Sequence, residues 1–145
     1  MLTLALVLSE PVEAAQIAWT RPQLCGLSSV VVVAEVTSTE TRWAPGPDGG
    51  IETIVWLSPR EAVKGIVPAP LALVLQGGSV DGIVLWVEDQ PALALDHTYL
   101  LLLSESDAGL VVVGGERGAV PLATDGHEGE TVLGAKASLG DCRAP

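Results

Sequence analysis

The chain has no phenylalanine and one tyrosine, against four tryptophans. A core built without Phe must be filled by Leu, Val, Ile and Ala. Cations are scarce too: seven Lys and Arg face 18 Asp and Glu, a formal charge of −11. Nucleic-acid binding draws its affinity from cations neutralising phosphates, so this balance argues against nucleic acid and anionic membrane surfaces as partners. No apolar run approaches the roughly 20 residues that a membrane-spanning helix needs. There are only two cysteines, Cys25 and Cys142, and two histidines, His97 and His127.

What is present is enough for one domain. A chain of about this length buries roughly 68–70% of its unfolded surface and can hold a core without staples. The opening fifteen residues, MLTLALVLSEPVEAA, are expected to be a truncated signal peptide. Their apolar stretch is short and no Lys or Arg precedes it, but Val12-Glu13-Ala14 has the small-residue spacing of a cleavage site. The competing reading is a buried first strand. The domain then runs over residues 16–145.

Thr20-Arg21-Pro22-Gln23 reads as a helix start, with Thr as cap, Pro in the first turn and Gln three residues after the cap. Gly26 ends that turn. Residues 30–39 are β-branched and predict a strand whose core face holds Val30, Val32, Ala34 and Val36. Residues 42–50, RWAPGPDGG, are a loop. Further strands are expected at 51–57, 71–76, 82–88, 97–104, 109–115 and 118–122. A turn at Asp107-Ala108-Gly109 makes the fifth and sixth strands a hairpin. SPREAVKG, residues 58–65, fits either a capped helical turn or the end of the second strand. The tail holds a short helix near 131–139. Short strands between turn signals predict a mostly β, closed or nearly closed antiparallel barrel with one or two short helices.

Candidate chemistry is thin. His97 borders a strand and reads as a solvated strand end. GHEGE sets His127 beside Glu128 and Glu130, too few ligands to define a metal geometry. Asp81 and VEDQ (87–90) lack the regular ligand spacing of a calcium loop. Glu88 and Asp89, read on a strand, point to opposite faces and do not converge. GGERG (114–118) matches no phosphate-binding spacing and reads as a bulged turn. Ser28, Ser29 and Ser104 lack a nucleophile-elbow frame. No catalytic residue, metal ligand or cofactor is therefore expected. Trp56 and Trp86 fall on strands and are expected in the core. Trp43, beside the Pro/Gly loop, is the candidate partner contact, since Trp is enriched at interface hot spots; the alternative is that it covers a barrel end.

The cysteines admit three readings: buried free thiols, a disulfide, or a nucleophile. Neither has a base nearby in sequence, and two Cys with two His lack the paired spacing of a zinc site. A disulfide fits an exported protein.

Pro22-Gln23-Leu24-Cys25 followed by Val30-Val31-Val32-Val33-Ala34-Glu35-Val36 resembles the netrin-like (NTR) domain of the tissue inhibitors of metalloproteinases. Lys64-Gly65, Tyr99-Leu100-Leu101 and Gly109-Leu110 are similar to later landmarks of that family. The resemblance covers about residues 20–142, and extends to bacterial exported proteins carrying such domains. It implies an OB-like Greek-key barrel and a bridge from Cys25 to Cys142. One departure matters: the inhibitors chelate the protease zinc through an N-terminal Cys, and Gln16-Ile17-Ala18-Trp19 has none. The expected function is a secreted or periplasmic, non-catalytic module binding a protein through its loops. The alternatives are inhibition of a metalloproteinase on some other basis, and a small hydrolytic enzyme.

Overall fold

A computed structural model describes residues 19–47 and 49–143. The expected leader lies outside the described residues. The fold is mostly β with two short helices. In chain order the elements are α1 (Arg21–Gly26), β1 (Val30–Trp43), β2 (Ile51–Lys64), β3 (Leu71–Gln76), β4 (Gly78–Val80), β5 (Ile83–Leu85), β6 (Thr98–Ser106), β7 (Gly109–Val112), β8 (Ala119–Pro121) and α2 (Val132–Ala137). Two 3₁₀ turns, Gly115–Gly118 and Gly140–Arg143, complete it.

One sheet takes the order β1-β2-β3-β7-β6-β8, and β1 also pairs with β6. The pairings thus run β1–β2–β3–β7–β6 and return to β1. All are antiparallel except the short β3–β7 contact at Leu73 and Leu110. β4 and β5 form a separate two-stranded ribbon.

The Val run on β1 is unbroken because both of its faces are buried. Val30, Val32, Ala34 and Val36 pack with Val55, Leu73, Tyr99, Leu101 and Leu103 on one side. Val31 and Val33 pack with Leu24, Cys25, Leu100, Leu102 and Leu139 on the other, beneath the helices. A strand covered on both faces reads as a continuous apolar run rather than an alternating one. The same holds for Leu100 to Leu103 on β6, all fully buried; each such side chain contributes about 1.5–3 kcal/mol by leaving water.

The structure resolves one reading left open and corrects two expectations. Residues 58–64 continue β2, where Ser58 faces Glu35 and Lys64 faces Val31 across the ladder; pairing with β1 outweighs the local capping signal. Within residues 114–118, Gly115–Gly118 form a 3₁₀ turn rather than a bulge, entered through Gly114 and Gly115 at φ +75° and +60°. Trp86 is 76% exposed and Trp56 only half-buried, so neither belongs to the core. Trp86 lies just past β5, whose single partner strand is β4.

Candidate binding cleft

Three distant segments meet at one open cleft of about 830 Å³. The first is the entry to α1. Thr20 caps the helix by accepting from the Gln23 backbone N–H, and the Gln23 side chain accepts from the Thr20 N–H at 2.8 Å. This reciprocal box fixes the chain direction and leaves Trp19, 46% exposed, at the rim. Leu24, one helical turn on, lines the cleft from its buried position.

α1 itself is held from three sides. Cys25 and Cys142 form a disulfide, with Cα atoms 5.9 Å apart. Lys64 donates from Nζ to the Cys25 carbonyl at 2.8 Å. Arg21 donates through its two terminal guanidinium nitrogens to the Glu130 carboxylate, and at 3.1 Å to the Ser138 hydroxyl. The hydrogen bond from Arg21 holds the Glu130 carboxyl below its ordinary range; partial desolvation opposes the shift, and Coulomb attraction adds to it. The same hydrogen bond raises Arg21 above its usual value.

The second segment is residues 86–89. The ribbon before it turns at Asp81-Gly82, both at positive φ (51° and 77°). Asp-Gly with two left-handed residues suits a tight hairpin whose twist matches its strands. Ser79-Val80-Asp81-Gly82-Ile83-Val84 carries that signal, and it was the cue that sequence reading of a single strand over 82–88 passed over. The ribbon sits on the far end of the β1–β2 hairpin, where the Thr41 hydroxyl donates to the Ser79 carbonyl and the Thr53 hydroxyl to the Gly77 carbonyl, each at 2.8 Å. Ile83, Val84, Leu85 and Trp86 are all left exposed.

The third segment is the turn Gly115–Gly118. A Cβ on Gly114 would stand 2.6 Å from Leu24 Cδ2, and one on Gly115 would collide with Asp89. Glycine at both positions lets this turn close against α1 and the 86–89 segment. The Glu116 N–H donates to Asp89 Oδ1 at 3.4 Å, joining the second and third segments.

The cleft thus presents two exposed indoles, the carboxylates of Glu88, Asp89 and Glu116, and the guanidinium of Arg117. None of these four charged groups takes part in an ion pair among the described residues. Glu88 and Asp89 do not diverge on a strand as expected; they occupy a turn, with Asp89 at φ +58°, and both face the cleft.

Trp43, the contact candidate from sequence, is the last residue of β1 and half exposed. It does not line this cleft. His97 and His127, thirty positions apart in sequence, come together as a stacked pair with Tyr99 beyond them. Among the described residues no group of three or more His, Cys, Asp or Glu is placed to hold a metal ion. No described helix is long and apolar enough to cross a membrane.

Comparison with protein-family models and with curated proteins returned no match to this chain.

Proposed function

We propose that this chain is an extracytoplasmic, non-catalytic binding module on an OB-like barrel of the netrin-like kind. Support for the barrel is the cycle of pairings that returns from β6 to β1, with its one parallel contact between β3 and β7. Support for the netrin-like kinship is the placement of the landmark residues. Pro22 to Cys25 fall on α1, the Val run on β1, Lys64 at the end of β2, and Tyr99 and Leu110 on the β6–β7 hairpin. The Cys25–Cys142 bridge fits an oxidising compartment.

The observation that carries the binding role is the exposed apolar segment from Ile83 to Trp86 beside a cleft whose other rim holds Trp19. Contiguous exposed apolar surface marks interaction sites, and Trp is the residue most enriched in contact hot spots. Loops on a rigid scaffold are where such function concentrates. A charge of −11 sets phosphate-bearing partners aside, and a protein is the partner proposed.

A photo-crosslinking residue at position 84, in oxidised protein mixed with envelope extract of the source cells, tests this. One discrete adduct that Trp86→Ala abolishes supports the role. Absence of any adduct, or labelling indifferent to Trp86, defeats it. Turnover in a broad hydrolase screen that His97→Ala or His127→Ala removes would show an enzyme instead.

A further inference from the structure

We infer that the Trp19–Trp86 cleft receives a lysine- or arginine-bearing segment of the partner protein, an inference resting on the binding role proposed above. The indoles supply aromatic faces of the kind that attract a cation. Three carboxylates against one guanidinium leave the cleft net negative. Those carboxylates have no cationic partner among the described residues, so an incoming cation displaces none. Apolar residues flanking that cation have Leu24 within the cleft and the exposed ribbon strand Ile83–Leu85 beside it.

A second copy of this chain is a poor occupant. Of its seven basic residues, four are engaged in internal ion pairs: Arg21, Arg42, Arg60 and Lys136. Lys64 is bound to the Cys25 carbonyl, and Arg117 already lies in the cleft. These are six of the seven, Arg143 being the seventh, so the described side chains offer a second copy's cleft little free cation. The occupant is therefore a different, basic polypeptide. Charge complementarity of this sort raises on-rate and discriminates among partners more than it adds raw affinity, so the preference should fade as salt rises.

The test is selection of random short peptides from a display library on the oxidised full chain. Selected peptides should be enriched in Lys and Arg next to apolar residues. Trp86→Ala should weaken them by about two- to fivefold, the factor expected for one exposed cation–π contact. The combined Glu88→Gln, Asp89→Asn and Glu116→Gln variant should abolish the preference for basic over Gln-substituted peptides, and its salt dependence. Trp43→Ala, outside the cleft, should change neither. A selected set without cationic excess, failure to select any peptide, or basic peptides that bind both cleft variants as well as wild type would each overturn the inference. So would self-association lost in Trp86→Ala. If the crosslinked adduct at position 84 depends on Trp86 while selection shows no cationic preference, the binding role stands and this inference falls.

Discussion

The rings of His97 and His127 stack with centroids 3.6 Å apart and planes inclined by 24°. They are the only two imidazoles in the chain. His97 sits just before β6, its carbonyl accepting from Val36 N–H at 2.9 Å. His127 rides on a loop closed at its base by Ala123 N–H to the Glu130 carbonyl and Glu130 N–H to the Pro121 carbonyl. The stack therefore fastens that loop to the start of β6. Aromatic pairs contribute about 0.5–1.5 kcal/mol beyond their burial. A double-mutant cycle of His97→Ala and His127→Ala, read by chemical denaturation, should return a coupling of about that size. Additive single effects would show that the rings touch without holding the loop.

The disulfide joins α1 to the chain's far end across a separation of 117 positions. Constraint of so long a loop limits the unfolded ensemble, and loss of such a bridge typically costs about 2–5 kcal/mol. Unfolding of the Cys25→Ala, Cys142→Ala double variant should show a loss in that range. An unchanged midpoint would mean that packing of α1 against β1 and β6 suffices.

Gly115 lies where the 115–118 turn meets Asp89, with no room for a side chain between them. Gly115→Ala places a methyl group against Asp89 at a φ of +60°. Backbone strain of this kind costs on the order of 1–3 kcal/mol. Stability should fall by about that amount, and Trp86 fluorescence, read in a variant lacking the other three tryptophans, should shift as the 86–89 segment moves away. Gly126→Ala, whose added Cβ meets nothing within 4 Å although its φ is also positive, separates strain from collision.

The Arg21–Glu130 pair sets a pH dependence of known sign. Glu130 binds its proton less readily in the folded state than in the unfolded one. Its stabilising contribution is therefore present above the unfolded carboxylate pKa of about 4.3 and lost as pH falls through the lower folded value. The raised Arg21 loses its contribution only at strongly alkaline pH. Both side chains are partly solvated, so screening keeps the pair near the surface range of about 0–1 kcal/mol. Wild type should exceed Glu130→Gln by a few tenths of a kcal/mol near pH 7, and the gap should close as acid protonates the folded-state carboxylate. A gap that persists in acid would assign the effect to something other than this pair.

Strands were the most legible feature. The β-branched stretch after Val30 and the run Leu100 to Leu103 announced themselves because strand packing selects those side chains, and residues 71–76 form β3 as expected. The capping box at Thr20 and Gln23 was equally plain, since it is made within four residues. Lengths were less so: β1 and β2 each run 14 residues, well past their apolar halves, because they pair along their whole length, the buried half of each against the exposed half of the other. Trp86 was misplaced for a related reason. An apolar strand pattern states that a face can be buried, not that anything covers it.

By itself, the sequence determined an aliphatic, mostly β fold with a capped first helix and a strongly acidic composition, all properties of local pattern and composition. Tertiary structure alone decided that Trp19, residues 86–89 and residues 114–117 would share a cleft, and that His97 would meet His127. Those contacts join positions tens of residues apart, and what brings them together is the shared burial of β1 and β6 on both faces, which no short window of sequence contains.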